Sequence, residues 1–290
     1  MHLYICLNEG HYLIKQTYST LCTKRYDLRM TETAQRNPGS DPLVPPTTTL
    51  HAGAPWTGLH ALLLEKLGLA ICAGDPRSGS VLRIEELEER YSVSRSVVRE
   101  AIRVLASMGM VASRRRVGVQ ILPATEWNLY DPQVIRWRLA SPDRISQVRS
   151  LTELRTAIEP EAARLAAERA PLESASELMG LAGKLWAAGQ AGDGDAFLTL
   201  DIEFHRLVLA SSGNEMFTKL NGLVAEVLTG RTQYGLMPSH PHNEALQLHV
   251  NVASAIQRRD PKEAHEAMLG IMQRASNEMS SIWESHPNDS

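Results

Sequence analysis

The sequence predicts a mainly α-helical protein, an N-terminal winged helix-turn-helix followed by an all-helical antiparallel bundle. Three observations carry that prediction. Between Ser94 and Leu105, polar and apolar residues separate onto opposite sides of a helix. Around that helix stand a short amphipathic segment and two β-prone runs flanking Arg114-Arg115-Arg116. Beyond Pro123, helical periodicity runs almost unbroken, punctuated by Gly, Asp and Pro.

At about 100° per residue, Arg95, Arg99 and Arg103 fall within about 80° of one another, with Val97, Val98, Ala101, Val104 and Leu105 on the other side. One side packs and the other offers guanidinium groups. Ser94 stands at the N-cap position, so the first turn presents unpaired N–H groups beside Arg95, an end that suits a phosphate. For this helix alone, a solvated cationic surface face is an equal alternative. Its neighbours argue otherwise. Val81 to Tyr91 reads as a short amphipathic helix, and Ser92-Val93 leaves room only for a tight turn, which is helix-turn-helix spacing. Met108-Gly109-Met110 ends the second helix. Val111-Ala112-Ser113 and Val117-Gly118-Val119-Gln120-Ile121 then pair as strands around the three arginines and make a wing.

The run from Leu59 to Ile121, centred on Arg95-Ser96-Val97-Val98-Arg99-Glu100-Ala101 and with Gly118 in the wing, resembles the winged helix of GntR-type bacterial transcription regulators. The resemblance implies operator contacts from Ser94, Arg95, Ser96, Arg99 and Gly118, with Arg115 or Arg116 holding a phosphate from the wing; Arg103 shares the arginine face. One departure is visible. Many members carry Arg in the preceding helix where this chain has Glu85, which implies a missing contact there.

Composition agrees with two soluble domains. The chain has 290 residues, 43% hydrophobic, and a net charge of −3, with no apolar run of membrane-spanning length. Its charge is unevenly placed: residues 56–123 carry ten Lys/Arg against seven Asp/Glu, residues 124–290 fifteen against twenty-two. Three scattered cysteines, Cys6, Cys22 and Cys72, fit neither a disulfide framework nor a zinc spacing and point to a reducing, cytoplasmic setting. Residues 1–55 read as a disordered N-terminal extension, with Met30 as a natural start for the chain proper. The expected organisation continues with a DNA-binding domain over 56–123, a linker helix within 124–145 centred on Trp127 to Leu139, and a helical effector domain over 146–285.

Helical patterns in that last domain run over 146–169, 174–191, 194–212, 215–230, 243–258 and 261–283. Within them, polar residues occupy apolar faces. Asp201 and His205, one turn apart, sit among Phe197, Phe204, Val208 and Leu209; His249 sits among Ala245, Leu246, Val252, Ala253 and Ile256. Arg155 and Glu159 share a face with Val148, Leu151 and Ala162. Five ionisable side chains cannot be buried without partners. For Arg155 and Glu159 a mutual ion pair is an even alternative. For Asp201, His205 and His249 the pattern points to a pocket, with one oxygen and two imidazoles as a plausible set of ligands for Zn²⁺, Mn²⁺ or Ni²⁺.

Asp201-Ile202-Glu203-Phe204-His205, Ser212-Gly213-Asn214, Glu153-Leu154-Arg155 with Glu159, and the helix from Asp260 resemble the all-helical effector-binding FCD domain of the FadR subfamily, over about residues 146–280. The resemblance implies a divalent ion held by Asp201, His205 and His249, and a small carboxylate effector bound by Arg155, Asp201, His205, Asn214 and His249. Metal-containing members hold the ion with an Asp and three His. Where they place the last His, twenty-two residues after His249, this chain has Ile271. The site is then either a three-ligand metal centre completed by effector, or a metal-free pocket; His265 lies about 120° round the helix from residue 271 and is no substitute.

The resulting expectation is a homodimeric, metabolite-responsive regulator of double-stranded operator DNA, most simply a repressor released by a gluconate-like or other small acid. Two other classes are open. A metal-dependent hydrolase would need Glu203 or Glu244 as base, yet both lie about 200° to 220° from the ligand faces, and the common catalytic motifs are absent. A constitutive architectural DNA binder leaves the buried polar residues unexplained.

Overall fold

The computed structural model describes residues 58–236 and 242–285. The expectation for residues 1–55 lies outside the described residues.

Helices α1 (Leu59–Cys72), α2 (Ile84–Tyr91) and α3 (Arg95–Ser107) pack with strands β1 (Val81–Leu82), β2 (Val111–Arg114) and β3 (Gly118–Ile121). The strands form an antiparallel sheet in the order β1-β3-β2. Pairing of Val111 with Ile121 and of Arg114 with Gly118 forms the expected wing, but draws Arg114 into β2 and leaves Arg115, Arg116 and Val117 at the tip. Val81 and Leu82 depart from the sequence reading. They pair with Gln120 and Val119 instead of opening α2, because two apolar residues are too few to show a period and a distant strand supplies their partners.

Helix α3 buries Val98, Ala101, Ile102 and Leu105, while Val97 and Val104 are only half-buried. Its apolar face is therefore turned by about 50° toward Ile102 relative to the expected one. The arginines still point away from the core. Ser92, in the left-handed region at φ 51°, reverses the chain between α2 and α3.

A single 3₁₀ turn (Ala124–Glu126) leads to α4 (Pro132–Leu139). The helix expected from Trp127 begins five residues later, because Asp131 caps it by accepting from the amides of Gln133 and Val134, and Pro132 occupies its first turn. Val134 and Trp137 belong to the core of the winged helix, whereas Ile135 and Leu139 belong to the core of the bundle.

The bundle comprises α5 (Arg144–Arg169), α6 (Leu172–Ala191), α7 (Gly194–Ser211), α8 (Glu215–Thr218), α9 (Asn221–Gln233), α10 (Asn243–Gln257) and α11 (Pro261–Ser285). The pattern read across 215–230 is two helices, since Leu220 N–H turns to Phe217 O at 3.0 Å and the ladder tightens there. Ala162, Ala163, Ala166 and Ala167 are fully buried on α5, and these small side chains let neighbouring helices approach it closely. Among the described residues, no helix is long and apolar enough to cross a membrane.

Trp137 lies flat against Gly68 of α1, where an added Cβ would stand 2.4 Å from the indole ring. Gly68→Ala should therefore lower unfolding stability by about 1–3 kcal/mol in urea titration, with little change in slope. An unchanged midpoint would show that Trp137 is free to move aside.

Candidate functional site

The arginine face of α3 is presented to solvent by its own amphipathicity. Arg95, Arg99 and Arg103 are all exposed. Arg99 has no carboxylate partner among the described residues, and Arg103 meets Glu100 at 3.0 Å. Ser94 holds the N-cap position, but its hydroxyl bonds Ser96 Oγ at 2.9 Å and no backbone amide, so the first-turn N–H groups stay available. Arg95 Nη1 is held by Glu85 Oε1 at 2.9 Å, with Glu88 Oε2 at 4.0 Å. Hydrogen bonding from its own backbone amide, then from Arg95, holds the Glu85 carboxyl below the usual range. Glu85 is thus more than a missing contact, because it pairs with an arginine of the exposed α3 face.

Gly118 has a local reason of its own. At φ 125°, an added Cβ would meet Val81 Cγ1 at 2.8 Å and Leu82 O at 3.0 Å, so glycine is required for β1 to lie on β3. Arg116, at φ 66°, turns the hairpin tip.

The five ionisable residues that the sequence places on apolar helix faces form one chain. Arg155 Nε donates to Glu159 Oε1 at 2.5 Å on α5. Glu159 Oε2 pairs with His205 Nδ1 from α7, and His205 Nε2 stands 3.4 Å from Asp201 Oδ1. His249 Nε2 approaches the same oxygen at 3.1 Å, while its Nδ1 bonds Ala245 O at 2.8 Å. All five are at most 5% exposed. The mutual ion pair that is one of the two readings for Arg155 and Glu159 is present, and His205 extends it.

Burial drives the Glu159 carboxyl up, but Arg155 and His205 outweigh it and hold it near 2. Asp201 behaves alike: burial opposes ionisation, and His205 and His249 hold it far below the usual carboxylate range. Burial would neutralise His205, yet Glu159 and Asp201 raise it to about 9. Charges of alternating sign make the chain tolerable in the core.

This chain borders a cavity of about 210 Å³ walled by α5, α6, α7, α9, α10 and α11. Arg155, Asp201, His205 and His249 line it, and so does Ile271. Asn214 does not. It caps α8 by accepting from the Met216 amide at 3.0 Å, so its expected place in the effector site is corrected to a helix cap. His265 faces Glu161, outside the cavity. Glu203 pairs with Arg206 and Glu244 with Arg274, and neither lines the cavity, which removes both candidate bases. Sequence reasoning missed Arg231, Arg274 and Glu278, which line the cavity from α9 and α11. Helix α9 offers no clean apolar face against which a misplaced arginine would stand out.

The donor set fits a divalent ion. One atom from each of Asp201, His205 and His249 lies within 4.8 Å of the others. Each imidazole directs Nε2 inward and spends Nδ1 on an outer partner, Glu159 or Ala245 O, an arrangement common behind metal-bound histidines. Ile271 supplies no donor.

Fold and cavity together define a class, a winged-helix DNA-binding protein joined to an all-helical domain that encloses a cavity. Residues 63–121 match the family of bacterial regulatory proteins, gntR family, and residues 150–274 match the FCD domain. The HTH-type transcriptional repressor NanR of Klebsiella aerogenes is 30% identical over 219 residues, which span 72% of this chain and 81% of that protein. The galactonate operon transcriptional repressor of Escherichia coli is 29% identical over 220 residues, 74% and 94% of the two chains. Among solved structures, Streptococcus agalactiae GntR is 26% identical and covers 75% of this chain and 99% of its own, with a TM-score of 0.43. The chain belongs to the GntR family and carries an FCD domain. It is a transcription regulator and not an enzyme.

Freeing Arg95 tests whether the arginine face of α3 meets DNA. Glu85→Gln should tighten binding to duplex DNA and steepen its salt dependence by up to about one counterion. Binding indistinguishable from the parent at every salt concentration would show that Glu85 does not restrain Arg95.

Proposed function

We propose that this regulator is a homodimeric repressor of the FadR type, released from its operator by a small hydroxylated carboxylic acid. The observation that carries the reading is the cavity bordered by the buried polar side chains of Arg155, Asp201, His205 and His249, together with its position one helix away from α4. Ser94, Arg95, Ser96, Arg99 and Arg103 would meet DNA from α3, with Arg115 and Arg116 on a flanking phosphate, the wing being aligned by Gly118. Two copies related by a two-fold axis would read two half-sites of a pseudo-palindrome.

The acid class rests on the cationic groups of the cavity and on relatives such as the galactonate operon repressor. A gluconate-like or galactonate-like acid is the first candidate. Such a ligand shifts the DNA-binding equilibrium only by binding the two states unequally. Asp201, His205 and His249 would hold a divalent ion, which when bound supplies a Lewis-acidic anchor for a carboxylate or hydroxyl oxygen. Arg155 keeps Glu159 ionised, and Glu159 orients His205 for that role.

In fluorescence anisotropy with a selected operator duplex, His205→Ala should keep the affinity for DNA to within about twofold, since additivity holds for distant sites. The same variant should lose release by sugar acids. Normal release from the variant would remove His205 from the cavity's function. Ile271→His should retain Zn²⁺ more tightly through dialysis against chelator than the parent protein does. Equal loss from both would favour a metal-free cavity.

A further inference from the structure

Arg231 is a buried cation with too few partners. It is 2% exposed, lines the cavity from α9, and its Nε has no hydrogen-bond partner among the described residues. Its Nη2 reaches Glu278 Oε2 at 3.4 Å, and Glu278 is shared, since its other oxygen lies 3.5 Å from Arg274 Nε. Arg155, the other deeply buried guanidinium on this cavity, already commits Nε and Nη2 to Glu159. Burial first, and then repulsion from Arg155, lower Arg231 to about 10, so the guanidinium stays charged at neutral pH in a place that disfavours charge. An anion against Arg231 would give Nε its acceptor and stand between two mutually repelling cations.

The part of the lining contributed by α7 and α10 is chemically different. Asp201 Oδ1 faces His249 Nε2 at 3.1 Å and His205 Nε2 at 3.4 Å there, a set of polar atoms suited to a ligand hydroxyl. We propose that Arg231 is the carboxylate anchor of the cavity and that its ligand is a monocarboxylate bearing hydroxyl groups at the end remote from Arg231. Arg155 serves instead as the permanent counterion of Glu159. The inference rests on the reading that the cavity takes a small acid. It also places the anchor beside the route to DNA: the preceding residue, Gly230, lies against Leu139 of α4, where a Cβ would stand 2.7 Å from Leu139 Cδ1.

The test is thermal unfolding of the full chain titrated with glycolate at constant ionic strength, with uncharged glycolamide as control. Glycolate should raise the melting temperature of the parent protein and glycolamide should not. Arg231→Gln should weaken glycolate by about tenfold or more, as expected for loss of a charge-assisted hydrogen bond. Glu278→Gln, which frees Nη2 without removing the guanidinium, should tighten it several-fold and decides the matter if Arg231→Gln fails to fold. Equal stabilisation of the parent and Arg231→Gln, stabilisation by glycolamide, no stabilisation of the parent, or no tightening in Glu278→Gln each overturns the anchor. If glycolate binds through Arg231 while no sugar acid releases DNA, the regulatory reading fails and the anchor stands. If sugar acids release Arg231→Gln from DNA as they release the parent, the anchor fails and the regulatory reading stands.

Discussion

Helix α4 has eight residues and two hydrophobic cores to complete, and the rest of the chain is arranged around that demand. Trp137 and Val134 are fully buried on the side of the winged helix; Ile135 and Leu139 are buried on the side of the bundle. Such double burial requires close approach on both sides, and glycine provides it. Gly68 admits the indole of Trp137, Gly222 admits Pro132 and Gly230 admits Leu139. Arg136 adds charge contacts to Glu65 at 3.6 Å and Glu226 at 3.7 Å, one on each side. Those pairs are half-exposed and weak, so they orient more than they stabilise. A well-packed helix of this kind cannot shift against one core without disturbing the other.

The buried charge chain imposes a similar constraint inside the bundle. Three helices, α5, α7 and α10, contribute Arg155 and Glu159, Asp201 and His205, and His249. Each carboxylate is ionised only because a neighbour from the same chain faces it, so loss of one member leaves the next uncompensated in the core. A hydrophobic replacement would pack at least as well. What it would not do is border a cavity with donors and acceptors of known position, and that is where ligand selectivity arises.

Much of this was legible in residue order. The i, i+4 spacing of Asp201 and His205 on an apolar face and the lone His249 on another announce burial without partners, and burial without partners implies that the partners come from elsewhere. The arginine face of α3 and the hairpin that follows were legible for the same reason: helix and strand periods are local. Pairings between distant segments were not. Val81 and Leu82 become a strand only because Val119 and Gln120 are there to receive them. Asn214 enters the site only through the family resemblance, whereas its place directly before a helix starting at 215 marks it as the cap that it is. Arg231 was invisible because its helix has no clean apolar side, and its carboxylate lies on α11.

Residue order alone therefore determined the class of fold, the side of α3 that meets solvent, the wing and the five polar residues of the buried chain, because each depends on a period of two or 3.6 residues within one element. Tertiary structure decided everything that needs two elements at once. It turned Glu85 from an absent contact into the partner of Arg95, joined Glu159 to His205, split one helical pattern at Leu220, and set a guanidinium with an unpartnered N–H into the cavity wall. Those outcomes depend on distances across the chain, which no local period encodes.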